Sequence, residues 1–292
     1  MCFEPPVSLI VPVYNGASTL ARCLESLRSL VYAHNRLEII VVDNASTDQT
    51  PAILKNHADR IRIVQESTRG RSAACNAGIR NARSEIIAIT DADCILDPGW
   101  LRSLIQPLQD LDVGLVGGKI LAARPDSLIQ KFGEIIHDNE SAVHQRFPSV
   151  IGMSWACRKL VIEQVHGFDE AFLRVQDSDL AFRISQAGYR LVYEPNAVLY
   201  HENEETYWGL YQEGYKHGHW SVLWFKKHAE AVRKDSRGRF PLSAYRQLIQ
   251  AFVMSFSLRA EQRTQARCQF AFNLGKRIGK MTGSFKFGYL EL

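Results

Sequence analysis

Residues 85–100 read Glu85-Ile86-Ile87-Ala88-Ile89-Thr90-Asp91-Ala92-Asp93-Cys94-Ile95-Leu96-Asp97-Pro98-Gly99-Trp100. An apolar run of strand length ends abruptly in two carboxylates separated by one small residue. A strand buried on both faces therefore carries negative charge at its C-terminal edge. In open α/β sheets that edge is where ligands bind, and two hard oxygen donors on a short turn suit Mg²⁺ or Mn²⁺ with a phosphorylated substrate. Aspartate is also a common turn residue, so the motif gains weight only from its partners elsewhere in the chain.

Those partners recur at other strand ends. Val7 to Tyr14 is a nearly continuous β-branched apolar run, turned by Asn15-Gly16. Leu20, Leu24, Leu27 and Val31 then recur at helical spacing behind Ser18 and Thr19. Leu37 to Val42 is a second strand, ending in Asp43-Asn44-Ala45-Ser46-Thr47-Asp48, with a helix opening near Asp48. Ile61 to Val64 is a third, and Thr68-Arg69-Gly70-Arg71-Ser72 leads into a helix with Asn76, Ile79 and Arg80. A helix start preceded by arginines suits a diphosphate. After Trp100 come a helix, a strand over Val113 to Ile120, and an irregular stretch, Ala122 to Gly152, expected as a long loop or peripheral hairpin. Gln176-Asp177-Ser178-Asp179-Leu180 opens another helix, and Val198 to His201 reads as a short strand ending in histidine.

Alternating strands and helices predict an α/β fold with a doubly wound, mainly parallel sheet. The first turn is not G-x-G-x-x-G, and no G-x-x-x-x-G-K-[ST] loop occurs. Nucleotide binding must then use carboxylates and a metal more than a glycine cradle.

The ordered series Val11-Pro12-Val13-Tyr14-Asn15, Asp43 to Asp48, Asp91-Ala92-Asp93, Gly167-Phe168-Asp169-Glu170, Gln176 to Leu180 and His201 resembles the inverting family 2 glycosyltransferases with the GT-A fold. The resemblance spans about residues 7–201. It implies that Pro12, Tyr14, Asn15, Asp43 and Ser46 cradle base and ribose, and that Arg71 and Asn76 hold base or diphosphate. In the Asp91-Ala92-Asp93 turn it places Asp91 on the ribose and Asp93 on the divalent metal, Mn²⁺ or Mg²⁺, together with His201. Asp177 matches the general base that activates the acceptor hydroxyl. A UDP-sugar donor, and an acceptor that is a glycan or lipid-linked saccharide, follow from the same resemblance. Gln176 and Asn44 stand where many relatives carry acids. The Q-x-x-R-W motif of processive synthases is missing, which favours transfer of one sugar per encounter. A nucleotidyltransferase would need a triphosphate loop that is not found, and a catalytically silent nucleotide-sugar sensor would bind donor without turnover.

The 292 residues carry a net charge of +4 and are 46% hydrophobic, ordinary for a globular protein. The charge is uneven: from Lys226 onward fourteen Lys and Arg face Glu230, Asp235, Glu261 and Glu291, a net +10, which leaves −6 before it. The expected division is a catalytic domain over 1–205 and a basic helical extension over 206–292. That extension holds an aromatic-rich stretch, Tyr207 to Phe225, and an amphipathic one through Leu248, Ile249, Phe252, Val253 and Phe256. An anionic membrane surface and a homodimer contact are its two expected uses. Nucleic acid is disfavoured because the cleft is lined by carboxylates. Cys2, Cys23, Cys75, Cys94, Cys157 and Cys268 form no C-x-x-C pair, and no secretory signal or run of about 18 apolar residues occurs. A reducing, cytoplasmic setting is expected, with peripheral attachment at the inner face of the membrane.

Overall fold

The computed structural model describes residues 3–234 and 242–291; Cys2 and Asp235 lie outside them. The chain divides into two compact units, Met1–Ala123 with His137–Glu202, and Arg124–Ile136 with Asn203–Leu292. In the first unit the order is β1 (Val7–Val13), α1 (Leu20–Arg28), β2 (Leu37–Asp43), α2 (Thr50–Lys55), β3 (Arg62–Gln65), α3 (Arg71–Asn81), β4 (Ile86–Thr90), β5 (Cys94–Leu96), α4 (Trp100–Ile105) and β6 (Val113–Ala122). Short helices α5 (Leu128–Lys131) and α6 (Gly133–Ile136) belong to the second unit. The first resumes with α7 (Asn139–Val143), β7 (Ser154–Arg158), α8 (Lys159–Gln164), α9 (Gln176–Gln186) and β8 (Arg190–His201).

The eight strands form one mixed, mostly parallel sheet in the order β3-β2-β1-β4-β7-β6-β8-β5. β1, β2, β3 and β4 are mutually parallel, as the β-α alternation predicts. β7 enters antiparallel between β4 and β6, and β5 pairs antiparallel with the end of β8. Side chains alternate across β1. Leu9 and Val11 pack with Leu20, Leu24, Trp100 and Leu104 of α1 and α4, whereas Ile10 packs with Ala74, Cys75 and Ile79 of α3 and Leu180 of α9. At Gly78 an added Cβ would meet Ile10 Cγ2 at 2.5 Å, so glycine lets α3 lie close against β1.

Two expectations are corrected. The first helix stops at Arg28, before Val31: Ser29 bonds the Ser26 carbonyl through Oγ, and the Val31 N–H turns to Pro98 O at 2.8 Å. The stretch from Ala122 to Gly152 contains α5, α6 and α7 in place of a hairpin. Ser127 caps Gln130 and Asp138 caps Ser141, which starts helices too short to show a hydrophobic period.

The second unit adds α10 (Tyr207–Lys227), α11 (Ala229–Lys234), α12 (Leu242–Met254) and α13 (Ala260–Phe287). α10 and α13 run parallel on glycines. An added Cβ at Gly214 or Gly218 would lie 2.1 Å from Phe272 O or Lys276 O; at Gly275 and Gly279 it would meet Tyr211 O and Tyr215 O, also at 2.1 Å. Phe132, Leu210, Cys268 and Phe272 form this unit's core. Among the described residues no helix is long and apolar enough to cross a membrane.

Candidate active site

The parallel strands β1, β2 and β4 end side by side, with Val13 opposite Asp43 and Pro12 opposite Val42. Their carboxyl edge therefore gathers the polar turns that follow each strand. Asn15 and Ala45 take positive φ (50° and 58°), which folds the two turns together. The Asn15 N–H donates to Ser46 Oγ at 3.0 Å, Asn15 Oδ1 accepts from the Thr47 N–H at 2.8 Å, and Asp43 Oδ1 accepts from the Ser46 N–H at 3.0 Å. These bonds lock a small concave turn. Asn44 extends the lock to the next strand, donating to the carbonyls of Glu66 and Thr68 and accepting from the Gly70 N–H. An aspartate could not make the two donations, which explains why the amide serves here.

Tyr14 lies half exposed on this rim. Arg69 places its guanidinium 3.8 Å above the Tyr14 ring, donates to its hydroxyl at 2.7 Å, and reaches Ala45 O at 3.3 Å. The sequence marks Arg69 with Arg71 as suited to a diphosphate; its contact with Tyr14 carries no such mark.

Arg71, at the start of α3, joins two carboxylates that are distant in sequence. Its Nε donates to Asp91 Oδ1 at 2.9 Å, Nη1 to Asp177 Oδ1 at 2.9 Å, and Nη2 to Gly152 O at 2.6 Å. Burial opposes the charge on Arg71, but Asp177 and Asp91 outweigh it and hold the guanidinium well above its ordinary range. Burial raises Asp91 above the usual carboxylate range, Arg71 pulls it back, and Asp93 pushes it up again. Asp177 enters on α9, whose preceding Val175 is held at φ 62°, a strained conformation for a β-branched residue. Gly152 is required beside it: an added Cβ would lie 2.2 Å from Asp177 Oδ2. Asp179 has a different partner. It is fully buried against Arg183 at 2.7 Å, and Arg183 also binds Gly167 O.

Asp93 points to another neighbour. The pairing of β5 with β8 sets Cys94 opposite His201, and the Glu202 N–H reaches Asp93 O at 3.3 Å. His201 Nε2 thereby sits 3.5 Å from Asp93 Oδ2. Burial pushes Asp93 up, but the hydrogen bond and charge of His201 prevail and hold it below the usual carboxylate range. A carboxylate oxygen and an imidazole nitrogen fit a divalent cation such as Mn²⁺ or Mg²⁺. The Asp93 side chain is 44% exposed, so substrate can approach it. No group of three or more His, Cys, Asp and Glu able to hold a metal occurs among the described residues. Such an ion would complete its shell with substrate and water.

The structure thus brings together Asp43, Ser46 and Asn15; Arg71, Asp91 and Asp177; and Asp93 with His201. Ala92, between the two acids, is buried beneath the turn, packing near Gly16. Asn76 is turned elsewhere: its amide binds Phe168 O at 2.9 Å, Glu170 Oε1 at 2.8 Å and the Phe168 N–H at 2.9 Å, pinning the loop before α9.

A family model described as Glycosyl transferase family 2 matches residues 8–165, more than half of the chain. The chain belongs to the family 2 glycosyltransferases. The pre-mycofactocin glycosyltransferase of Mycobacterium tuberculosis is 31% identical to it over 208 residues, 68% of this chain and 43% of that protein. The chain therefore matches less than half the length of this relative. Glycosyltransferase AglE of Haloferax volcanii is 28% identical over 205 residues, 68% of this chain and 67% of that one. Among solved structures, the mannosyltransferase PcManGT from Pyrobaculum calidifontis, in complex with GDP-Man and Mn²⁺, superposes with a TM-score of 0.71 at 25% identity, over 96% of this chain and 88% of its own. Staphylococcus aureus TarS 1–349 superposes at 0.55 with 14% identity, a likeness of fold. This family 2 glycosyltransferase has the GT-A fold expected from its strand-end motifs.

Proposed function

We propose that this glycosyltransferase moves one sugar from a nucleotide-diphosphate sugar to an acceptor hydroxyl by single, inverting displacement. The observation that carries the reading is the Arg71 bridge, 2.9 Å to Asp91 and 2.9 Å to Asp177. It ties a donor-side carboxylate to an acceptor-side one through a single positive charge. A departing nucleoside diphosphate needs its charge stabilised, and the incoming hydroxyl needs a base on the opposite side of the sugar. Two carboxylate stations with separate partners meet both needs.

Asp43, Ser46, Asn15, Pro12 and Tyr14 line the base and ribose side, with Arg69 over Tyr14, and Asp91 lies next to the ribose. Arg71 binds diphosphate oxygens, and Asn76 supports the site through the loop before α9. Asp93 and His201 would hold Mn²⁺ or Mg²⁺, which when bound supplies Lewis-acid stabilisation of the diphosphate. Asp177 takes the acceptor proton. Arg71, 2.9 Å from Asp177, holds the base in place beside the diphosphate site.

We place this chemistry in residues 1–205, with 206–292 as an extension. A UDP-sugar is the favoured donor from the motif resemblance; GDP-mannose is the second reading, favoured by the Pyrobaculum neighbour bound to GDP-Man and Mn²⁺. Acceptors are glycans or lipid-linked saccharides of cell-surface polysaccharide or glycolipid synthesis.

The test is release of nucleoside diphosphate from UDP-, GDP- and dTDP-sugars with Mn²⁺, Mg²⁺ or EDTA, paired with donor calorimetry. Metal-dependent release is expected, with Asp93→Ala lowering both binding and release. Asp177→Asn should bind donor and lower release by 10²-fold or more, on the order seen for a general base. Donor binding without turnover in the wild type would favour a sensor. Binding unaffected by EDTA and by Asp93→Ala would remove the metal assignment.

A further inference from the structure

We infer that the outer face of α12 is a docking surface for an anionic lipid bilayer. The inference is independent of the donor chemistry above. Residues 249, 252, 253 and 256 recur at helical spacing, and all four are exposed: Ile249 64%, Phe252 48%, Val253 61% and Phe256 69%. Tyr245 continues the stripe one turn earlier, and Leu258 stands almost fully exposed just past its end. On the opposite side Ala251 and Ser255 are buried, with the Ser255 hydroxyl closed onto Phe252 O at 2.6 Å. Ala251, and Ser255 just past the helix end, are thus buried, while Tyr245, Ile249, Phe252, Val253 and Phe256 are presented. Scattered exposed apolar residues are ordinary, but a continuous stripe on one helix face marks an interaction surface.

Charge identifies the occupant. Phe252 packs on Phe270 of α13 with ring centroids 5.4 Å apart. Arg267 and Arg263 precede Phe270 by three and seven residues, so they line the same face of α13, along the flank of the α12 stripe. Arg259 stands at the helix start and Arg246 borders the stripe on α12 itself; Arg246, Arg259 and Arg267 are exposed. Among the described residues of 245–270, Glu261 is the single acid. An apolar helix face rimmed by arginines fits acyl chains beneath anionic headgroups, with the helix lying in the interfacial plane. A second copy of this face would set one arginine rim against another with little acidic charge to offset it.

The test is flotation of the full chain with phosphatidylcholine vesicles, with and without phosphatidylglycerol. Recovery is expected on the anionic vesicles. The double substitution Ile249→Glu/Phe256→Glu should abolish it, and Arg259→Gln/Arg263→Gln/Arg267→Gln should weaken it on the order of 100-fold, since each basic group contributes separately. Circular dichroism and the thermal midpoint, unchanged in both, would show that the folded chain was tested. Absence of wild-type recovery, equal recovery on neutral vesicles, or equal recovery of the double variant would overturn the inference. So would a dimer in light scattering that Ile249→Glu/Phe256→Glu dissolves while no vesicle is bound.

Discussion

Arg71 is the residue on which the proposed chemistry turns, because three separate segments converge on it through Asp91, Gly152 and Asp177. Lysine keeps the charge but offers one ammonium where the guanidinium makes a fork. Arg71→Lys is therefore expected to keep the fold yet lower donor turnover by roughly 10²-fold, in the range of losing one charge-stabilising donor. Retained turnover in Arg71→Lys would show that the bridge is structural. Gly152→Ala tests the same geometry from the other side. Its methyl must displace the Asp177 carboxylate, lowering release more than donor affinity; an equal loss in both would place Asp177 in donor binding. The acids at 91, 93 and 177 and the histidine at 201 were legible in the sequence because each follows or opens an element whose apolar pattern is clear. The contacts made by Arg69, Asn44 and Gly152 were not, since their partners lie tens of residues away in the chain. Of the two near-adjacent acids, the resemblance names Asp177, and Asp179 is taken into a buried pair with Arg183.

At the scale of elements, hydrophobic periodicity made the first four parallel strands and their helices readable. The antiparallel entry of β7 was not, because strand direction is set by the connections and carries no signature in an apolar run. The helices α5 to α7 escaped for another reason: four or five residues held by caps show no period. The parallel contact of α10 with α13 is a feature of spacing, Gly214-x-x-x-Gly218 against Gly275-x-x-x-Gly279-x-x-x-Gly283, that gains meaning only once the helices are paired. Gly279→Leu would drive a side chain into Tyr215 O and is expected to destabilise the helical unit by about 1–3 kcal/mol or more, read as a lowered thermal midpoint. An unchanged midpoint would mean that the helices separate freely. Lys276, on the same contact, supplies a pH test. Burial, with Lys280 and Arg277 nearby, lowers its pKa to about 8, against about 10.4 in an unfolded chain. Between those values the unfolded state holds more protons, so the Lys276 contribution to stability rises with pH across that window and is unfavourable below it. Chemical denaturation at pH 7 and pH 10 should show Lys276→Met gaining stability over wild type at the lower pH and losing most of that advantage at the higher. A difference independent of pH would place the ammonium in solvent.

Over the whole molecule, a net charge of +4 conceals a chain that is −6 before Lys226 and +10 from it. The charged groups of the two compact units also differ in how salt reaches them. In the first, the ion pairs of the candidate site are short and partly buried, with Arg71 and Asp177 side chains 20% and 15% exposed, so mobile ions screen them weakly. In the second, Arg246, Arg259 and Arg267 are exposed, and in the docking proposed above they would meet headgroups outside the protein. The screening length falls from about 10 Å at 0.1 M salt to about 3 Å at 1 M. Raising salt across that range is therefore expected to release the protein from anionic vesicles while nucleoside diphosphate release in free solution changes little. Flotation and donor assays over one salt series measure both. Loss of turnover in parallel with vesicle release would mean that the site relies on exposed charge, and vesicle binding that survives 1 M salt would assign the attachment to the apolar stripe of α12 alone.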